Sequence, residues 1–137
     1  MLKGRAFALT SAVLASAAIS TLAMAMPASA ADGSCANTDF CAFRNYDRHK
    51  NEGVYDLGSP VKDFKNLRWF NASGSINDDI SSYTAMTGTS CAGYRLFWDK
   101  DHVGQAVDIP KGWGGNLAGA ASPHNNEFSS YSKYGCP

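Results

Sequence analysis

Two short runs of the chain carry oxygen-bearing side chains in the same order. Residues 77–83 read Asn-Asp-Asp-Ile-Ser-Ser-Tyr and residues 125–131 read Asn-Asn-Glu-Phe-Ser-Ser-Tyr, identical at four of seven positions and alike in character at the other three. A short loop offering carboxylate, amide, hydroxyl and backbone carbonyl oxygens suits a hard cation such as calcium, which takes about six to eight oxygens at about 2.3–2.6 Å. The same residue types also close turns through side-chain to backbone hydrogen bonds, and Ser82 and Ser130, the second serine of each run, are expected to do so in any case. Other chemistries find less support. There is no Gly-x-Ser-x-Gly elbow, no His-Glu-x-x-His helix and no phosphate-cradling glycine loop with its lysine. The Gly-Trp-Gly-Gly stretch at 112–115 reads as a turn, and His49, His102 and His124 read as loop residues rather than catalytic bases. An enzyme is not expected.

The elements that must position these runs show themselves as a longer internal repeat. The runs are offset by 48 residues; Asn66-Leu67 and Asn116-Leu117 precede them at offset 50, the patterns 54–57 and 106–109 at offset 52, and Ala42-Phe43 and Leu96-Phe97 at offset 54. The order is conserved between the halves, so two homologous units are expected, about 36–83 and 90–134. In each, an aromatic strand (40–46 or 94–98) leads through a polar loop (47–53 or 99–104) to a second strand (54–57 or 105–109). A long connection then leads to the repeated run, and a last strand begins at or after its Ser-Ser-Tyr. No stretch holds a sustained helical period, although 61–70 has room for a turn or two. Paired hairpins with long return connections predict an all-β domain of two Greek-key motifs packed as a sandwich.

Composition bounds the rest. Lys3 and Arg5, an alanine-rich apolar run over 6–26 and a small-x-small Ala28-Ser29-Ala30 predict a secretory signal peptide over 1–30 and an extracellular product. No second long apolar run follows, so a membrane span is not expected. The remaining 31–137 has room for one domain. It carries ten basic against twelve acidic residues, interspersed, which argues against a nucleic-acid partner. Cys35, Cys41, Cys91 and Cys136 are an even set in an oxidising compartment and read as disulfides; their three possible pairings stay open. A zinc site is the weaker alternative, since no Cys-x-x-Cys pair occurs.

The six residues 77–82 and 125–130 both fit Asn/Asp-Asn/Asp-x-x-Ser/Thr-Ser, which resembles the calcium-binding motif of the βγ-crystallin superfamily. That resemblance implies a βγ-crystallin-like sandwich, disulfide-stapled here, that clamps up to two calcium ions reciprocally. One site would use the carbonyl of Asp79, the hydroxyl of Ser81 and the side chain of Asn126. The other would use the carbonyl of Glu127, the hydroxyl of Ser129 and the side chain of Asp78. Asn77, Ser82, Asn125 and Ser130 would support the motifs, with first-hairpin carbonyls and water completing each shell. Asp78 carries a full charge where Asn126 carries none, so the motifs alone rank the Asp78 site as the tighter. The superfamily's first hairpin carries aromatic-x-x-x-x-aromatic-x-Gly. Here Arg48 and His102 hold the second aromatic position, and Gly53 arrives three residues late.

The signal peptide, the Cys35-Ala-Asn-Thr-Asp-Phe-Cys41 start and the repeat also resemble the secreted metalloproteinase-inhibitor family of Streptomyces. A secreted metalloprotease is the partner that this implies. The segment 65–75, with Trp69 and Phe70, is the candidate contact surface, against a plainer reading in which its Trp is buried. A small killer-toxin-like antimicrobial protein is a third reading on the same fold. Trp98 and Trp113 are expected to pack rather than to stack on sugars. A monomer is expected.

Overall fold

The computed structural model describes residues 32–117 and 125–137; the expected signal peptide lies outside them, as does His124. The described residues form seven strands: β1 (Phe40–Phe43), β2 (Val54–Leu57), β3 (Ser82–Ala85), β4 (Gly93–Phe97), β5 (Ala106–Pro110), β6 (Gly114–Asn116) and β7 (Ser130–Tyr134). They make two antiparallel sheets, ordered β2-β1-β3-β6 and β5-β4-β7. This is the all-β pair of Greek keys that the repeat predicts. β1 stops at Phe43 rather than 46, because the chain turns into a 3₁₀ turn at Tyr46–Arg48. No helix forms in 61–70; Val61 instead bridges Tyr131 and Arg68 bridges Ser75.

The Gly-Trp-Gly-Gly stretch differs from its reading as a turn. Only Lys111 and Gly112 turn, with Gly112 at φ +86°, while Gly114 and Gly115 belong to β6. β6 comes from the second unit yet pairs with β3 of the first, Tyr83 opposite Gly115. Val61 of the first unit bridges Tyr131 of the second in return. Each unit thus lends a short extended segment to the other's sheet.

Alternation sets the core. Phe40 and Ala42 of β1 and Tyr94 and Leu96 of β4 face inward, as period 2 demands. Phe40 meets Tyr94 and Tyr131 with ring centroids 5.7 and 6.0 Å apart. Burying each such ring stabilises the fold by roughly 1.5–3 kcal/mol. Burial, with Asp39 nearby, pushes the Tyr94 phenol up to about 12, so it stays a donor, to the carbonyl of Met86 at 2.8 Å.

All four residues of β1 are buried, because the outer face of its sheet is covered too. Cys41, Phe43 and Val54 form a second cluster under Cys35 and Met86. The cover is the segment before β1, fastened by Cys35–Cys41 and by the Gly33 N–H on the Asp56 carboxylate at 3.1 Å. The second disulfide, Cys91–Cys136, ties the start of the second unit to the chain's last residues.

Candidate metal centre

The repeated runs lie side by side, and each is bound into the other. Asp78 and Asn126, second in their runs, have φ of +52° and +57°. Asp and Asn tolerate this left-handed region better than other non-glycine residues, a physical reason for their type there. The Asp78 N–H donates to the carbonyl of Phe128 at 3.0 Å, and the Asn126 N–H to that of Ile80 at 3.2 Å. Ile80 and Phe128 are wholly buried and anchor both turns in the core.

The side chains repeat the crossing. Ser81 Oγ donates to Asn126 Oδ1 at 3.2 Å, and Ser129 Oγ to Asp78 Oδ1 at 3.3 Å. Each pair joins a serine of one unit to the Asx of the other. The carboxylate of Asp79 is used elsewhere: it accepts from Trp69 Nε1 at 2.9 Å and pairs with Arg44 at 3.0 Å. Its backbone carbonyl is what the motif would use. Asn77 Nδ2 donates to Asp78 Oδ2 at 2.6 Å. Glu127 is exposed, and Asn125 half-buried, at the start of the second run.

The second serines fasten the hairpin loops. Ser82 Oγ donates to the carbonyl of Asn45 and accepts the Arg48 N–H at 3.0 Å. Ser130 Oγ donates to the carbonyl of Asp99 at 2.6 Å and accepts the His102 N–H at 3.2 Å. Both serines are fully buried. Asp47 and Arg48 take φ of +59° and +60°, Asp101 and His102 +61° each, so the loops fold over alike although neither has the family's corner aromatic. His102 replaces it in part: its ring lies 5.2 Å from that of Phe97, and its Nε2 faces the carbonyls of Tyr131 at 2.9 Å and Val61 at 3.1 Å. Carbonyls only accept, so Nε2 carries the proton.

A hollow opens beside each serine. One, of about 320 Å³, is lined by Ser81 with Asn45, Tyr46, Asp47, His49 and Glu52. The other, of about 430 Å³, is lined by Ser129 with Asp63, Lys65, Asn77, Asp99 and Lys100. Apart from Ser81, Ser129 and Asn77, no lining residue is among the ligands named individually from sequence, although Asp47, His49, Glu52, Asp99 and Lys100 lie in the first-hairpin loops expected to add carbonyls. The signal for Glu52 was the drop in repeat offset from 54 to 52 across the loop, which marks added residues. Among the described residues no group of three or more His, Cys, Asp or Glu is placed to hold a metal. The donor set is hydroxyl, amide, carbonyl and single carboxylates, as hard, oxygen-seeking calcium accepts. Oxygens 3.2–3.3 Å apart have the spacing of neighbouring ligands with about 2.4 Å bonds. The serine protons are free to rotate away. The residues fit the ion.

Two other candidates separate. In 65–75, Trp69 is buried with its N–H on Asp79, and only Phe70 of the aromatic pair is exposed, at 58%. Trp98 packs half-buried on the core, but Trp113 is 61% exposed, contrary to the expectation that it packs. Its position between the turn at Lys111–Gly112 and edge strand β6 places it at the rim. Among the described residues no helix is long and apolar enough to cross a membrane.

No protein-family model matches the sequence, and no curated protein matches it significantly. Solved structures do match the fold. One, described by the evolution of the eye lens βγ-crystallin domain fold, has a TM-score of 0.55 at 16% identity, covering 73% of this chain and 88% of that one. A βγ-crystallin from Ciona intestinalis has a TM-score of 0.51 at 16% identity, with 69% and 98% covered. A βγ-crystallin from an archaeon has a TM-score of 0.50 at 17% identity, with 69% and 95% covered.

Proposed function

Starting from a βγ-crystallin fold, we propose that this protein is a secreted, non-enzymatic module that binds up to two calcium ions, one at each crossed Asx–serine pair. Asn126, Ser81 and the carbonyl of Asp79 serve one ion; Asp78, Ser129 and the carbonyl of Glu127 serve the other. The observation that carries the reading is the crossing itself, at 3.2 and 3.3 Å. Turns kept only for folding have their fasteners already in Ser82 and Ser130, and have no need of a second serine facing an Asx of the opposite unit. When bound, calcium would supply a positive charge that ties the units together. The alanine-rich leader and the two disulfides support export to an oxidising compartment.

Thermal melting in calcium and in chelator tests the reading. A ligand that binds only the folded state stabilises it by about 2.7 kcal/mol at a hundred times Kd. With so few charged ligands, Kd is expected in the ~10⁻⁴–10⁻³ M range or somewhat tighter. In calorimetry Asp78→Ala removes the step of the Ser129 pair and Asn126→Ala that of the Ser81 pair. A melting temperature indifferent to calcium overturns the proposal.

A further inference from the structure

The two candidate pockets differ by a turn of chain. The pair Phe43–Val54 closes a first-hairpin loop of ten residues, whereas Phe97–Ala106 closes one of eight. The longer loop winds into a second 3₁₀ turn, Lys50–Glu52, with no counterpart in the shorter. That turn carries Glu52 to the hollow lined by Ser81. There Asn45 Nδ2 donates to Glu52 Oε2, while the carbonyl of Asn45 takes the proton of Ser82. The carboxylate therefore hangs from the same strut that fastens the motif. Among the described residues the ion pairs are Arg44–Asp79 and Arg95–Asp108, and Glu52 belongs to neither.

We infer that Glu52 is a carboxylate ligand of the Ser81–Asn126 calcium site, supplying the full negative charge that Asn126 lacks. The inference rests on the calcium reading above. It explains why the added turn sits in the loop beside Ser81, whose Asx partner is neutral, and not in the loop beside Ser129, whose partner is Asp78. It also narrows the gap between sites that the motifs alone imply: the Ser129 hollow sets Asp63 and Asp99 against Lys65 and Lys100, whereas the Ser81 hollow carries Asp47 and Glu52 with no lysine or arginine among the described residues of its lining. Charge count at the site is what tunes calcium affinity in oxygen-ligand loops.

The test follows backbone amide shifts of Ser81 and Ser129 during a calcium titration of the wild-type chain and of Glu52→Gln. Glu52 is exposed, so the substitution leaves the core intact. The Ser81 midpoint is expected to rise about tenfold while the Ser129 midpoint holds. In an Asp78→Ala background, where only the Ser81 step remains, calorimetry should show the same loss. If the wild type responds at both serines and Glu52→Gln leaves the Ser81 midpoint within about twofold, the assignment of Glu52 is overturned alone. If the wild type is silent at both serines, the calcium reading and this inference fall together.

Discussion

Asp56 and Asp108 occupy the same place in the two units, and their surroundings could hardly differ more. Asp56 stands opposite Cys41 under the segment that covers its sheet, buried, with the Gly33 N–H on its carboxylate. Burial raises its pKa; hydrogen bonds from Gly33 and its own N–H pull the other way, and Asp32 and Asp39 add to the rise. Asp108 stands opposite Arg95 on an uncovered face and forms a two-pronged ion pair, whose hydrogen bonding lowers its pKa. One half of the molecule has a dry outer face and the other a wet one. The lesson is that two units can share a backbone and an inner face while each outer face has its own neighbours.

The largest expected effect sharpens that contrast through the disulfides. Cys91–Cys136 closes a loop of sequence separation 45 and Cys35–Cys41 one of 6. Loop entropy predicts losses of about 4 and about 2 kcal/mol for the paired Ala replacements, read by denaturant unfolding. A larger loss from the short loop would show that the cover over Cys41 matters beyond chain entropy.

Ser82→Ala and Ser130→Ala should each cost about 1–3 kcal/mol, and nearly the same amount, because both hydroxyls are buried with equivalent partners. Unequal losses would break the equivalence of the two hairpin loops. Next, His102→Ala should cost about 1–2 kcal/mol, because it removes a ring from Phe97 and a donor from two carbonyls. Exposed Arg48→Ala should stay within about 0.5 kcal/mol. Thermal melts of the two variants check this.

The smallest effect is in pH. Asp56, raised when folded, contributes stability that is fully present below the unfolded value of about 3.9 and is lost as pH rises through its folded value. Asp108, lowered when folded, contributes stability that is present above about 3.9 and is lost as pH falls through its folded value. Asp56→Asn should therefore stabilise at neutral pH, by less than about 1 kcal/mol, and cease to do so in acid, while Asp108→Asn should destabilise slightly at neutral pH. Carboxyl carbon shifts should place the two midpoints on opposite sides of the ordinary aspartate value.

Residue identity made the centre of the molecule legible. The runs at 77 and 125 recur because a left-handed Asx, a buried anchor and a fastening serine each restrict residue type, so the two-unit sandwich and its inward aromatics follow from pattern. β6 was hidden because glycine weakens strands and Gly-Gly reads as a turn. It survives at an edge, where one partner strand suffices. The folded-over first loop was hidden behind Arg48 because what holds it is the buried hydroxyl of Ser82, not a corner ring. Glu52 was hidden because a side chain from an added turn matches nothing in the repeat. Trp113 was misjudged because composition cannot tell a rim from a core.

The exchange of β6 and Val61 has a consequence for either unit taken alone. A solitary copy of the first unit would leave the flank of β3 open where Gly114–Asn116 belongs, and would hold out Val61 with no strand to receive it. An identical twin would satisfy both needs at once by twofold symmetry. Holding both units in one polypeptide keeps the embrace without requiring the two to be alike, as the differently partnered Asp56 and Asp108 show.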